Sequence, residues 1–317
     1  MAPNTDKPPA GRRHGEGHAC PLARQASRGL PAGEGGPAIE VAARSGVCFG
    51  VRRALALSAE ALAGGRTVYS LGPVIHNPQE MARLQAKGLA VVESLQDARP
   101  GGILLVRSHG LAPGPLEEAR ERGLDVVDAT CPLVRRVQTL AMDLAAEAYE
   151  VLVAGDAAHP EVRAILGHAP QARVVATPQE ARGLGLKGKV ALVAQTTFSP
   201  EQFRRLARDL AGRDLAELRV LTTICQATVE RQRAAADLAG RVDVMFIIGG
   251  RNSANTRRLA GRCAGRRAAV RHVETPQEVR PQDVRGRRRV GVAAGASTPP
   301  WVIEAVCGRI RELLQAK

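Results

Sequence analysis

Cys48, Cys131 and Cys225 each stand in a loop between an apolar, strand-like run and a helical pattern, roughly a third of the chain apart. A second set of polar residues keeps step with them. His76, His159 and Ser253 each fall 28 residues further on, again between an apolar run and a helical one. A lone cysteine at a strand end is ordinarily a small buried hydrophobe. Three of them with matching echoes predict three similar lobes that aim thiolates and polar side chains at one centre. A structural zinc site would want four ligands with close paired spacings, and no such pair exists in this chain. Three distant thiolates suit an iron–sulfur cubane held through three irons, with the fourth left open for a substrate.

The neighbours of the cysteines permit sharp turns or close backbone approach: Gly46 and Gly50 around Cys48, Pro132 after Cys131, Gln226-Ala227 after Cys225. His76, His109 and His159 all end strand-like runs, and imidazoles gathered around one pocket can donate to phosphate oxygens. Charge-assisted bonds of that kind contribute roughly 1.5–3 kcal/mol each. Ser253, Asn255 and Ser297 add compact donors, and Gly249-Gly250 before a helix start offers backbone N–H groups to an anion. Glu161, just after His159-Pro160, is either a first-turn carboxylate favourable to the helix dipole or a general acid, with Thr196 placed to share a proton relay. Cys263 and Cys307 lie inside helical patterns and read as ordinary core or surface residues.

Positioning these residues requires an α/β protein with mainly parallel sheets, because short apolar runs alternate with helical patterns from Ile39 onward. The first third runs from IEVAA into the Cys48 loop, from TVYSL into the His76 loop, and from ILLV into Ser108-His109-Gly110. The second runs from DVVDAT into Cys131-Pro132, from VLVAG into His159-Pro160, and from VALVAQ into Thr196-Thr197. The third runs from LRVLTTI into Cys225, from MFIIGG into Asn252-Ser253, and from VGVAAGA into Ser297. Asn77-Pro78 is a helix cap followed by proline at the first helical position. Ligands of parallel sheets gather at the carboxyl ends of the strands, so these loops predict one composite site. The expected organisation is an extension over 1–38 and lobes over 39–127, 128–221 and 222–317. The extension, which holds Cys20, is rich in Pro, Gly, Arg and Ala and reads as disordered; with Asp6, Glu16, Glu34 and a single serine, Ser27, it does not resemble a transit peptide.

At 317 residues the chain exceeds what one hydrophobic core serves, and its 44% apolar content is that of a globular protein. No run is long enough to cross a bilayer and no apolar signal core opens the chain, so a cytoplasmic, membrane-independent protein is expected. Six cysteines without dense spacing point to thiols or metal ligands, not disulfides. The net charge of +14 invites a nucleic-acid partner, but the arginines are scattered and only one Trp, two Tyr and four Phe are present for base stacking. A solvated basic surface is the simpler reading, and such a face could also dock an acidic electron-transfer protein.

The blocks SGVCFGV, GPVIHNPQ, RSHG, DATCPLV, HPEV, QTTFS, TICQAT, NSANTRRLA and AGAS, in this order and spacing from Ile39 to about Leu314, resemble those of the 4-hydroxy-3-methylbut-2-enyl diphosphate reductase family, the last enzymes of the non-mevalonate isoprenoid pathway. The resemblance implies a trefoil of three α/β lobes around one oxygen-sensitive 4Fe-4S cluster per chain, with Cys48, Cys131 and Cys225 as its ligands. It implies that His76, His109, Ser253, Asn255 and Ser297 hold the diphosphate. His159, Thr196 and Glu161 would serve the allylic hydroxyl and its protonation. Two-electron reductive dehydroxylation to isopentenyl and dimethylallyl diphosphate, fed by a ferredoxin- or flavodoxin-type donor, is the reaction implied. Two positions depart from the family pattern: Ala254 replaces a serine between Ser253 and Asn255, and Asp156 replaces a histidine before HPEV. A redox-neutral hydro-lyase, or a cluster-based sensor that binds nucleic acid, are the competing readings, and each explains the ring of serines and histidines less well.

Overall fold

The computed structural model describes residues 38–316. The expected extension over 1–38, Cys20 included, lies outside them except for Ala38. Among the described residues twelve strands form three four-stranded sheets, and every strand pairing is parallel.

β1 (Ala38–Val41) leads into α1 (Phe49–Ala63). The first sheet contains β2 (Val68–Leu71), β3 (Leu89–Val92), β4 (Ile103–Val106) and β5 (Asp125–Asp128), with α2 (Pro78–Ala86) and α3 (Pro113–Glu121) between them. After α4 (Pro132–Ala146), the second sheet contains β6 (Glu150–Ala154), β7 (Arg173–Val175), β8 (Lys189–Ala194) and β9 (Glu217–Val220), connected by α5 (Pro160–His168), α6 (Pro178–Arg182) and α7 (Pro200–Ala211). After α8 (Gln226–Ala239), the third contains β10 (Val244–Ile248), β11 (Ala269–Val273) and β12 (Arg289–Ala294), with α9 (Ala254–Cys263), α10 (Pro281–Val284) and the closing α11 (Pro300–Gln315).

The three sheets share one strand order. β3-β2-β4-β5 and β7-β6-β8-β9 are matched by β11-β10-β12-β1, where the first strand of the chain fills the fourth place of the last sheet. The segment 39–43, grouped by sequence order with the first lobe, is therefore hydrogen bonded into the third: Ile39 pairs with Val290 and Val41 with Val292. An edge place is open beside β12, and β1 fills it.

Central strands read as continuous β-branched and aliphatic runs because both faces are covered. ILLV of β4, VMFII of β10 and most of VALVA in β8 are fully buried. The helices that follow the fourth-place strands each pack on the next sheet. Val51, Ala54 and Ala61 of α1 join the core of Val68, Ile103 and Leu105. Val137, Ala141 and Leu144 of α4 join Val151, Val153, Ala191 and Val193, and Ala235, Leu238 and Ala239 of α8 join Met245, Ile247 and Ala293. The chain thus passes from sheet to sheet three times, and a cysteine stands at each passage.

Candidate active site

Cys48, Cys131 and Cys225 are the N-cap residues of α1, α4 and α8, and none of their side chains caps the helix by a hydrogen bond. A helix start ordinarily takes Ser, Thr, Asp or Asn there. A thiol in that place brings sulfur to the start of the helix, where the first-turn N–H groups lie. Each cysteine is pinned in an equivalent way, its backbone N–H donating to a carbonyl of the loop after the third-place strand: Cys48 to Ala296 (3.0 Å), Cys131 to Ser108 (3.0 Å) and Cys225 to Thr196 (2.8 Å). All three thiols line one cavity at the carboxyl ends of the strands. Burial raises the Cys131 thiol above its ordinary value, and Cys48 and Cys225 raise it further, whereas the backbone N–H groups of Leu133 and Val134 pull it down. Gly50 makes the convergence possible, because a Cβ there would lie 2.6 Å from Cys131 Sγ. Cys263 and Cys307 are buried in separate cores with thiols pushed up to about 11, which keeps them inert.

The same cavity is lined by His76, His109 and His159, whose ring centroids lie 4.5, 5.3 and 5.6 Å apart. Burial, reinforced by Arg107 and Arg257, lowers His76 to about 4. Burial and the neighbouring His76 lower His159 to about 3 and act on His109 in the same direction. The three imidazoles are therefore neutral at physiological pH. His159 Nδ1 accepts the Glu161 N–H at 3.1 Å as the N-cap of α5, so its proton is assigned to Nε2. Both ring nitrogens of His76, Nδ1 of His109 and both amide atoms of Asn255 are buried without a partner. Unpaired buried polar atoms cost roughly 1–3 kcal/mol each, so this cluster marks a place built for a polar ligand.

Glu161 is 1% exposed. Its Oε1 accepts the Thr196 N–H at 2.6 Å and its Oε2 accepts the Thr196 hydroxyl at 2.9 Å. Burial pushes this carboxyl up to about 7 against those two hydrogen bonds and Arg258. Ser253 Oγ accepts the Thr256 N–H at the start of α9, which leaves its own proton free to donate into the cavity. Ser297 donates to the His76 carbonyl at 2.9 Å. Ala254 lines the cavity as the first residue of α9, so only its backbone is polar there. The Asp156 carboxylate turns back to the Ala158 N–H and does not line the cavity.

All eleven residues singled out from the sequence meet at this cavity. Two arginines were not singled out. Arg258 reaches from α9 to the Thr197 carbonyl and hydroxyl, at 2.7 and 2.9 Å, and its charge acts on both Glu161 and His159. Arg231 of α8 is 4% exposed and donates to the Arg44 and Gly46 carbonyls at 2.8 and 2.9 Å. Among the described residues it has no carboxylate partner, and the charges acting favourably on it are Cys48 and Cys225. Arg258 stands inside the NSANTRRLA block, two residues beyond its asparagine–threonine pair, and Arg231 one turn beyond TICQAT. Those positions were the available signal.

Comparison with known proteins adds an independent line. A family model described as LytB protein matches residues 39–311. The chain is 45% identical over 280 residues to the 4-hydroxy-3-methylbut-2-enyl diphosphate reductase of Geobacter metallireducens, covering 88% of this chain and 99% of that protein. It is 44% identical over 275 residues to the protein of the same name from Geobacter sulfurreducens, covering 86% and 97%. Among solved structures, a (E)-4-hydroxy-3-methyl-but-2-enyl diphosphate reductase described as the terminal enzyme of the non-mevalonate pathway is 42% identical, with TM-score 0.66 over 86% of this chain and 99% of that one. The Plasmodium falciparum E-1-hydroxy-2-methyl-but-2-enyl-4-diphosphate reductase is 25% identical, with TM-score 0.81 over 86% and 87%.

Proposed function

Because the chain belongs to the LytB protein family, we propose that its central cavity reduces 4-hydroxy-3-methylbut-2-enyl diphosphate. The allylic hydroxyl leaves as water, and isopentenyl and dimethylallyl diphosphate are the products. The balance is two electrons and two protons, one proton to the departing oxygen and one to the allylic carbon skeleton. The observation that carries this reading is the meeting, in one cavity, of three thiols with a wall of unpartnered imidazole and amide groups.

The donor set fits an iron–sulfur cluster. Cys48, Cys131 and Cys225 would hold it, the Gly50 surface leaves room beside Cys131, and Arg231 supplies a buried positive charge that a dry interior tolerates only beside an anion. A 4Fe-4S cluster held there by Cys48, Cys131 and Cys225 would supply one-electron transfer and Lewis acidity toward the substrate hydroxyl.

The chain's own side chains supply the rest. His76, His109, Asn255, Ser253 and Ser297 hold the diphosphate. Anion binding raises the imidazole pKa values that burial has lowered, so binding and protonation of His76 and His109 reinforce one another. His159, with its proton on Nε2, donates toward the substrate hydroxyl. Glu161, near half-protonated at neutral pH, is the acid that delivers a proton to the leaving oxygen, and the Thr196 hydroxyl bonded to it is the relay. The electrons come from a ferredoxin- or flavodoxin-type carrier.

Anaerobic reconstitution with iron and sulfide, followed by assay with the diphosphate substrate and reduced methyl viologen, tests the reading. Viologen oxidation dependent on substrate is expected, with no turnover when the reductant is left out. Protein with an intact cluster absorption band that leaves the viologen reduced would reject it.

A further inference from the structure

The first turns of α1 and α4 repeat a pattern at fixed offsets from their cysteines. Val51-Arg52-Arg53 follows Cys48 by three to five residues, and Val134-Arg135-Arg136 follows Cys131 by the same interval. The third turn breaks the pattern, with Thr228-Val229-Glu230 after Cys225, and Glu230 is paired with Arg44. The pseudo-threefold core is thus basic on two of its three cysteine-bearing turns. Both valines are buried, whereas Arg52, Arg135 and Arg136 are exposed.

These two turns form one continuous face. A Cβ on Gly50 would touch Cys131, and Arg53 crosses from α1 to donate to the Asp128 and Thr130 carbonyls, both at 3.2 Å. Two apolar side chains stand out from it. Phe49, beside Cys48, is 66% exposed, the highest of the large hydrophobic residues described, and Leu133, two residues after Cys131, is 42% exposed where it also lines the central cavity, so it stands between that cavity and this face. The one carboxylate on these turns and their connecting loop, Asp128, is already engaged by Arg135. Further along the helices the first acidic residues are Glu60 and Asp143, each twelve positions beyond its cysteine. Exposed phenylalanine gains nothing from water. Burying such a side chain stabilises by roughly 1.5–3 kcal/mol, and an aromatic anchor within a basic rim is the composition of a docking site for an acidic protein.

We propose that this face, Phe49 and Leu133 ringed by Arg52, Arg53, Arg135 and Arg136, is where an acidic, single-electron carrier protein docks. The inference rests on the reading that Cys48 and Cys131 hold the redox centre. A partner seated on Phe49 is then one residue from a ligand, and the basic α1–α4 side, not the α8 side, is the port of entry. The carrier gives one electron in each of two encounters, and the reaction consumes both.

The test compares the reconstituted wild type with the double variant Arg52→Glu/Arg136→Glu, two positions that have no carboxylate partner among the described residues. A purified flavodoxin is the carrier. Its dissociation constant is measured anaerobically by titration calorimetry, and its KM in turnover, each at two ionic strengths. For the wild type both should rise steeply with salt. In the double variant the dissociation constant should be at least about tenfold weaker, with turnover by reduced methyl viologen unchanged, because that small reductant needs no docking face. A second variant, Phe49→Ser, should weaken flavodoxin binding without altering its salt dependence. Binding that is absent in the wild type, unchanged in the double variant, or indifferent to salt overturns the proposal, as does an equal loss of turnover with both reductants. Failure of the enzymatic reading is separate: methyl viologen would then support no turnover in the wild type either, while flavodoxin binding and its response to charge reversal would still decide the docking face.

Discussion

Glu161 is held by opposing forces of similar size. Burial favours the neutral carboxyl, and two donors from Thr196 favour the carboxylate, with burial winning to leave the group near 7. In the proposed role of general acid it works protonated, so kcat with saturating reductant should be level below about pH 7 and fall about tenfold per unit above it. Glu161→Gln should lower kcat by about 10²–10⁴-fold and remove that limb, and a pH profile of both proteins checks it. The sign for stability follows from the same shift. The folded pKa lies above the ordinary 4.5, so the neutral form stabilises the fold at low pH and that contribution is lost as pH rises through about 7. His76 and His159, lowered from 6.5 to about 4 and about 3, act oppositely below 6.5, which leaves the Glu161 loss unopposed by them only between 6.5 and about 7. Arg231 is the second residue with a decisive charge. Arg231→Gln should cost roughly 1.5–3 kcal/mol for each charged hydrogen bond lost to Arg44 and Gly46. It should also shift the cluster midpoint to more negative potential by removing the nearby positive charge. Arg231→Lys should restore the potential more than the stability. Spectroscopic redox titration beside thermal melting separates the two effects, and equal potentials in all three proteins would remove Arg231 from the electrostatic role.

At the scale of elements, α1 shows packing overruling helix propensity. Alanine is about 1 kcal/mol better than glycine inside a helix, yet Gly50→Ala would set a Cβ 2.6 Å from Cys131 Sγ and 3.0 Å from its Cβ. We expect that variant to melt lower and to take up less iron on reconstitution. Gly261→Ala in α9, where an added Cβ meets nothing within 4 Å, should be neutral or gain up to about 1 kcal/mol. Thermal melts and iron content of the pair check the contrast. The site-bearing strands were legible from their apolar runs, whereas β3, β7 and β11 were not singled out. Each lies at the far edge of its sheet, and runs such as AVRHV or RVV are short or broken by charge. An edge strand is defined by the neighbour it pairs with, which a short segment does not announce.

At the scale of the whole molecule, three sheets are joined by helices that start at the cysteines, so a metal centre held by those cysteines, as proposed, would tie all three sheets together. Binding that favours the folded state stabilises it by mass action. Holoprotein should therefore melt several degrees above apoprotein when both are kept anaerobic, and a Cys131→Ser variant should show no such gap; scanning calorimetry of the four samples decides it. Strand order is identical in the three sheets, but the cavity-lining residues are not: histidines follow strands of the first and second, serines and Asn255 those of the third. Among the described residues no helix is long and apolar enough to cross a membrane.

The sequence by itself determined the α/β alternation, the strand-end loops and the residues that face the cavity, because strand and helix periods, caps and turn residues are written locally. Asn77 caps its helix as the pattern placed it, and helices open just after His159 and Ser253, which cap them. Only the tertiary structure decided that Ala38–Val41 completes the last sheet and that Arg231 reaches a loop 187 positions away. It alone decided that three histidines are neutral while a carboxyl hovers near 7. Those properties come from long-range pairing and from the exclusion of water, and neither exists until the three sheets close around one centre.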